Sequence, residues 1–519
     1  MKKIYFFAFI FLALIACSKE LLVPSAPKLD LDVKLISASI VDAEESFLGD
    51  MPELRSSLDY SGDRVVYRWN PGDVIGALQV NNSLQFIENH QFYLSNESEG
   101  AFIHEGTFYS TSQLSENGQY FFYYPYNDNA INSNGELVFN MPAQNHEGST
   151  SLISNLSGRD FMFSLDTIVA EDRQNRLVES EIQQIKFSHA TAALEYYING
   201  LSSQTILYCI DLYSDNPIFA KSATLNALLA QSSRGGQVDL LNYSYDNSTN
   251  SMPLYFGDNG YTFSSTSETL ISSLLIFPTT ISTVTVYLHT NKGTYSIPKN
   301  FNRNMIANTY TKVNLIALNT IQPTSVWNGT TKLPPPIIDN NIYIYCAAHL
   351  AWIAGISNNS ISDPRITDNT FNGFTIKLIN DIDLGGKNWK PIESFYGVFN
   401  GNNKIIKNFT ILSANTTSIN QGLFAINNGI IKNLYIDSPS LSSKYNYLGA
   451  IAGTNSSTGE ITQCHITGRG TLMGSSFVGG IVGSNSNPSI SFGDCSVDTN
   501  IRVSGAGNVG KKCGSPLIN

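Results

Sequence analysis

The chain has 519 residues, 42% hydrophobic and only 14% charged, which excludes a disordered polyelectrolyte and leaves room for about three domains of roughly 150 residues each. Its 31 Lys and Arg stand against 42 Asp and Glu, a net charge of −11, and no basic run is long enough to neutralise a series of phosphates, so no nucleic-acid partner is expected. With 26 Tyr, 28 Phe and 4 Trp in a background rich in Asn, Ser and Thr, the composition favours strands and turns over surface helices.

Residues 1–16 read as a signal peptide. Lys2 and Lys3 make a positive start, Ile4 to Ala16 an apolar run, and Leu14-Ile15-Ala16-Cys17 a small-residue cleavage site ending in cysteine. That tetrapeptide matches the bacterial lipoprotein signal, which makes Cys17 the acylated (palmitate-bearing) first residue of a chain held to the outer membrane by its lipid. The apolar run is well short of the ~20 residues that span a bilayer as a helix. A later apolar stretch, Leu274 to Leu288, is broken by Pro278 and several Thr. Residues 17–27 hold two prolines without periodicity and read as a tether.

From residue 28 the pattern becomes that of strands. In Leu29-Asp30-Leu31-Asp32-Val33-Lys34-Leu35 the apolar positions alternate, placing Leu29, Leu31, Val33 and Leu35 on one face. Val65 to Trp69 and Val74 to Val80 flank a turn at Asn70-Pro71-Gly72-Asp73, and Tyr120 to Tyr126 is a strand that ends near Pro125. Further strands are expected around Ile185 to Phe187, Ile206 to Tyr213, Leu274 to Phe277, Thr283 to Leu288 and Thr309 to Ile316. Short strands separated by Asn, Ser and Gly turns predict two β-sandwiches, 28–183 and 184–318. At 319–341 the alternation lapses into Trp327-Asn328-Gly329 and Pro334-Pro335-Pro336, which predicts a stiff connector.

Beyond it, over 342–519, motifs repeat. Phe399 to Ile411 returns 25 residues later as Phe424 to Ile436, with Asn-Asn and Ile-Ile-Lys-Asn in register. Leu448-Gly449-Ala450-Ile451-Ala452-Gly453 returns 30 residues later as Val478-Gly479-Gly480-Ile481-Val482-Gly483, and Cys464 returns as Cys495. Short β patterns at periods of 25 to 31 predict a β-solenoid, with glycines at corners that need φ > 0. The predicted fold class is therefore all-β, two sandwiches followed by a solenoid.

Two resemblances rest on these residues. Residues 28–318 resemble the fimbrillin-like lipoproteins of Bacteroidetes, subunits and tip proteins of surface pili. The marks occur in order: Trp69 to Gly76, Tyr123-Tyr124-Pro125-Tyr126, Pro142 with Gln144, Asp160-Phe161-Met162, Phe187-Ser188-His189-Ala190 and Asn308-Thr309-Tyr310. Asn308 stands where Gly is expected, a small departure because Asn tolerates the left-handed region. Residues 342–510 are similar to the GLUG-motif repeats of bacterial surface proteins, including Leu350-Ala351-Trp352-Ile353-Ala354, Asp381-Ile382-Asp383-Leu384 and Trp389-Lys390-Pro391-Ile392. The last unit departs at Lys511-Lys512-Cys513-Gly514, as if the repeat were cut short. The first resemblance implies transthyretin-like sandwiches whose first strand, here Leu29 to Leu35, is cut away after an arginine and replaced by a strand from another pilus subunit. Arg55 is the first arginine after it.

Chemistry has little visible foothold. None of the seven histidines has zinc-protease spacing, and no nucleophile elbow or phosphate loop occurs. His189, between Phe187 and Ala193, reads as a hydrogen-bonded structural residue. Asp381 and Asp383 share a strand face, the arrangement of a glycosidase pair, but their alternation with Ile382 and Leu384 reads as a solvated face. After Cys17 the five remaining cysteines are odd in number and widely spaced, with neither disulfide framework nor zinc spacing. Cys464 and Cys495 would stack about 4.8 Å apart on neighbouring coils, a ladder of small side chains with a disulfide as the alternative. Asp166-Thr167-Ile168 has the form of an O-glycosylation triplet of Bacteroidetes.

The expectation is a surface lipoprotein adhesin, an accessory or tip component of a pilus, with no cofactor, no metal and no reaction. Its partners would be other subunits by strand exchange, the outer membrane through Cys17, and a host or bacterial surface ligand such as a glycan. Two alternatives stand beside it. One is a non-pilus lipoprotein whose exposed aromatics bind glycans; the other, weakened by the scarcity of acids in the repeats, is a carbohydrate-active solenoid enzyme.

Overall fold

The structure is a computed structural model, and it describes residues 34–40, 44–48, 69, 72–95, 105–110, 119–146, 160–164, 168–169, 183–226, 244–315, 321–412, 419–489, 492, 494–516 and 518. Cys17, Leu29, Leu31, Val33, Arg55, Asp166 and Thr167 lie outside them. Among the described residues nearly all regular structure is strand.

An N-terminal arm carries Lys34–Ile40 (β1) and Glu44–Leu48 (β2). The first sheet adds Val74–Val80 (β3), Phe86–Leu94 (β4), Glu105–Ser110 (β5), Gln119–Tyr124 (β6), Met162–Ser164 (β7) and Gln183–His189 (β8). Its order is β6-β3-β4-β5-β1-β8-β7, with the short strand Ile168–Val169 also paired to β6, and β7 pairs back onto β6, so the sheet closes on itself. Inside, Trp69 meets Phe108, Tyr124 and Phe187 edge-on at 5.0, 5.6 and 5.4 Å. A ring buried this fully contributes roughly 2–3 kcal/mol, which accounts for the tryptophan and tyrosine marks in the sequence. The boundary expected at 183/184 is corrected here: β8 begins there and still belongs to the first sheet, and the chain changes sheets only after His189.

The second unit is a sandwich of Ala192–Ile198 (β9), Ile206–Tyr213 (β10), Ser251–Tyr255 (β11), Leu270–Ile276 (β12), Thr279–Thr290 (β13), Gly293–Met305 (β14) and Thr309–Leu315 (β15). One sheet runs β12-β9-β15-β2 and the other β14-β13-β10-β11. Leu194, Tyr196 and Ile198 of the first meet Ile210, Leu212, Val286 and Leu288 of the second in one buried cluster. Asn308, at φ 58°, turns the chain into β15 in the left-handed region.

The solenoid stacks Asn341–Ile344 (β16), Thr375–Leu378 (β17), Val398–Lys407 (β18), Ile430–Asp437 (β19), Glu460–Thr467 (β20) and Ser496–Val497 (β21) in parallel, with three further parallel stacks completing its walls. Helix α1, Ala347–Ser357, interrupts the β pattern; it has no polar face and every residue in it is buried. The 25-residue match does not describe a coil. Val398 stacks on Ile430, Ile430 on Glu460 and His465 on Ser496, offsets of 32, 30 and 31 residues, because a turn around the apolar core needs about that much strand. The 30-residue glycine match does describe coils, since Ala452 stacks on Val482.

The glycines of the 30-residue repeat serve a different purpose from the expected one. Gly449, Gly453, Gly479 and Gly483 do not have positive φ; a Cβ on any of them would collide with the backbone of a neighbouring coil. Left-handed corners are taken by Asn402, Asn403, Asn433 and Gln463 and by other glycines, Gly373, Gly385, Gly386 and Gly468. Asparagine also pins the coils internally, with Asn427 Nδ2 donating to Asn455 Oδ1 and Asn455 Nδ2 to Asn485 Oδ1, both at 2.8 Å.

Of the connector expected at 319–341, the described residues from Trp327 on are part of the solenoid rather than a spacer. Pro334, Pro335 and Pro336 are buried, Trp327 packs on Trp389 at 5.6 Å, and Ile337–Ile338 pairs with Asn341–Ile342 to cap the first coil.

Candidate functional site

Of the strand residues singled out in the sequence, Leu35 lies in β1. That strand is central: Lys34 to Ser39 pair antiparallel with Ser110 to Glu105, and Ile36 to Ile40 pair parallel with Gln183 to Phe187. The chain then leaves for the other unit, where β2 pairs parallel with β15, Glu44 opposite Thr309 through Leu48 opposite Val313. One arm thus supplies an inner strand to the first sheet and an edge strand to the second. Sequence reasoning missed β2, since Glu44-Glu45-Ser46-Phe47-Leu48 has no alternation to announce it.

The other candidates resolve into structural roles. His189 Nδ1 bonds Asp160 Oδ2, and Thr191 Oγ1 donates to Asp160 Oδ1 at 2.9 Å, all buried where the chain passes between units. Two of the sequence marks are thereby one polar cluster. Asp381 is exposed and accepts from the Ile405 N–H at 2.9 Å; Asp383 accepts from Gly385 N–H and Asn408 Nδ2 while Ile382 and Leu384 face the core. Both acids therefore pin backbone and neighbouring strands. Cys464 and Cys495 stand on adjacent coils as free thiols, the Cys464 N–H pointing at the Cys495 sulfur at 3.4 Å, and the hydrogen bond between the thiols with burial pushes Cys464 up. Among the described residues no group of three or more His, Cys, Asp or Glu is arranged to hold a metal, and no helix is long and apolar enough to cross a membrane.

The structure adds a polar seam that the sequence did not reveal. The outer face of β10 and β13, which a lone sandwich would show to water, is covered by the start of the solenoid. Cys209, Tyr345 and Ile379 form one buried cluster with Tyr208, Tyr255 and Tyr343 around it. Asp211 on β10 is buried and accepts from Ser251 Oγ at 2.7 Å; burial lifts its carboxyl to about 6 against the pull of Arg365. Arg365, from the solenoid, lies 5.6 Å from the Tyr213 ring and donates to Asp363 and to the Pro335 carbonyl. Burial works to raise Asp363, but the bonds and charge of Arg365 outweigh it and hold that carboxyl below its usual range. Asn380 Nδ2 ties the Thr290 carbonyl of the sandwich to the Tyr345 carbonyl of the solenoid at 2.7 and 2.8 Å. Beside this seam a cleft of about 300 Å³ opens between Met141–Gln144, Lys221, Ser251–Pro253 and Ile337–Asn340.

On the solenoid surface two ring pairs meet across coils, Tyr435 tilted against His465 at 4.7 Å and Tyr447 stacked on Phe477 at 5.2 Å, all half-buried.

No family model matches the chain, and no curated protein matches it. Among solved structures it is similar to a Bacteroides ovatus protein for which cell adhesion is proposed, at 14% identity and a TM-score of 0.32, over 54% of this chain and 91% of that one. It is also similar to a fimbrial protein from Bacteroides vulgatus (10% identity, TM-score 0.27, 56% and 97% covered). A third similar structure is a fimbrial assembly protein from Parabacteroides distasonis (9%, 0.26, 54% and 90%).

Proposed function

We propose that the chain is a surface lipoprotein adhesin of the fimbrillin type, an accessory or tip component of a pilus, that assembles by strand exchange and is not an enzyme. The placement of the N-terminal arm carries the reading. Because β1 lies between β5 and β8 and β2 lies beside β15, a cut at Arg55 would detach strands from both units together. Their removal would bare backbone donors and acceptors that a neighbouring subunit's strand can satisfy. The described residues from 321 on support an accessory role over a shaft subunit, since they are folded onto the second sandwich and into the solenoid. The solenoid then presents its long walls to a surface ligand.

Mass spectrometry on sheared pili and on washed outer membranes tests this. Recovery in pili of a chain that begins after Arg55 is the expected result; recovery only in membranes, acylated at Cys17 and uncut, would overturn strand exchange. The stacked rings at Tyr447 and Phe477 favour a second reading, a glycan-binding surface lipoprotein outside any pilus. Binding of the full chain to a glycan array, lost on Tyr447→Ala, would move the weight there.

A further inference from the structure

His289, on β13 of the second sandwich, and His349, on helix α1 of the solenoid, meet across the seam with ring centroids 5.0 Å apart and no exposed surface. Between them stands Thr294, the second residue of β14. Its hydroxyl lies 3.1 Å from His289 Nδ1 and 3.4 Å from His349 Nε2, and the Cys346 thiol hydrogen-bonds the same threonine.

The protons in this chain of bonds can be assigned. The Tyr345 N–H donates to His349 Nδ1 at 3.2 Å, so that nitrogen is an acceptor and the ring proton sits on Nε2, aimed at Thr294. Thr294 accepts it and turns its own proton to His289 Nδ1. His289 then carries its proton on Nε2, which is buried without a partner. Every bond in the chain requires both imidazoles to be neutral. A second proton on His349 would set Nδ1–H against the Tyr345 N–H, donor facing donor. A second proton on His289 would turn Nδ1–H onto the hydroxyl that now donates to it.

The surroundings offer little compensation: a backbone hydrogen bond at Tyr343 favours a charged His349, but burial and Arg365 outweigh it. His289 is stacked between Tyr345 at 5.0 Å and Tyr287 at 6.1 Å, with Cys209 opposite it on β10. The cation nearest in effect is Arg365, which repels charge on His349, and the seam's carboxylates are engaged, Asp363 by Arg365 and Asp211 by Ser251. Burial first, then the Arg365 charge, holds His349 down to about 3, and burial with His349 beside it holds His289 well below its usual value.

We propose that this seam is an acid-released latch: protonation of His289 and His349 places two like charges on opposite sides of the joint and frees the solenoid from the second sandwich. A histidine held neutral in the docked state and free in the undocked one favours docking fully above about pH 6.5 and loses that advantage below it, by up to roughly tenfold per pH unit. Two units down, the pair shifts the equilibrium by up to roughly ten-thousandfold. Asp211 titrates in the opposite sense and returns roughly thirtyfold, so release prevails. The latch stands independently of the pilus reading.

The test uses the full chain at pH about 7.5 and about 4.5, with small-angle scattering for compactness and hydrogen exchange, corrected for intrinsic rates, at Tyr345, Ile379 and Asn380. Acid should enlarge the radius of gyration and raise exchange at those amides at least a hundredfold. The double variant His289→Phe, His349→Gln keeps the stack on Tyr345 and a neutral donor and acceptor at position 349, and should stay closed at both values. Wild-type protein equally closed at both, or a variant that opens as readily as wild type, would overturn the latch. If the variant does not fold, imidazole resonances of the wild type decide. Rings that stay neutral until opening support the latch; rings that titrate near pH 6.5 while docked sink it.

Discussion

Arg365 and Asp363 lie side by side in the solenoid, Nε donating to one carboxylate oxygen and a terminal nitrogen to the other, each at 2.9 Å, with side chains 6% and 1% exposed. The fork is local, two residues apart, yet it braces a distant contact, since the same guanidinium faces Tyr213 of the second sandwich and Trp352 of α1. Arg365→Ala should cost about 3–5 kcal/mol, because it strands the buried Asp363 carboxylate and removes the positive charge that favours an ionised Asp211. Arg365→Lys should recover part of it, lacking the second donor of the fork. Denaturant titration of both variants checks this, and an unchanged midpoint for Arg365→Ala would contradict it.

Asp211 gives a pH dependence of definite sign. Its carboxyl ionises at 3.8 in an ordinary setting and about 6 here, so between those values the folded chain holds a proton that the unfolded chain has released. Its contribution to stability therefore falls as pH rises through that window and is flat above it, by roughly 3 kcal/mol in all. Asp211→Asn removes the effect. In the background His289→Phe, His349→Gln, whose seam stays docked in acid, the chain that keeps Asp211 should gain about 2 kcal/mol over its Asp211→Asn counterpart on going from pH 7 to about pH 4.5, read as the difference between their denaturation midpoints.

Asn455 sits at the centre of the amide ladder, accepting from Asn427 and donating to Asn485 and to the Gly459 carbonyl. Asn455→Ala leaves buried polar groups without partners on both neighbouring coils. A loss of about 2–3 kcal/mol is expected, visible as a lower thermal midpoint for the solenoid, whereas Asn428→Ala at the rim of the same corner should cost under about 1 kcal/mol.

The two kinds of glycine should separate under substitution. Gly449→Ala drives a methyl into the carbonyls of Ala452 and Ile481, which are fixed by neighbouring strands, and should cost several kcal/mol, on the order of 3. Gly386 has open space around it but φ of 65°, so Gly386→Ala should cost only about 1 kcal/mol of backbone strain. Thermal melts of the two variants side by side test the distinction; equal losses would refute it.

Removal of the arm should be reversible by a peptide. A chain lacking residues 1–55 is expected to be destabilised, and a peptide spanning Lys34 to Leu48 should restore its melting temperature by refilling both strand positions. A peptide of Lys34 to Ile40 alone should restore only part.

Local pattern carried much of this architecture. The apolar run at Val74–Val80 and the aromatic run at Tyr120–Tyr124 announced strands because a strand buried on both faces reads as a short continuous apolar stretch bounded by turn residues. The glycine and cysteine spacings at 449/479 and 464/495 announced the solenoid because stacked coils must repeat the same steric demands. Those features are written into neighbouring residues and short periods, so they could be read without coordinates. The 25-residue match misled because it is out of the stacking register: Phe399 lies over Ile431 while Phe424 belongs to another wall, and Ile405 and Ile406 lie over Tyr435 and Ile436 instead of Ile430 and Ile431. Only the folded chain decided that Glu44–Leu48 crosses to the second sandwich, that the prolines cap the solenoid, and that His289 meets His349. Each of these joins segments far apart in sequence through a surface that has no period of its own. Such contacts are chosen by which apolar and hydrogen-bonding faces remain uncovered once the sheets have formed, and that is a property of the assembled molecule.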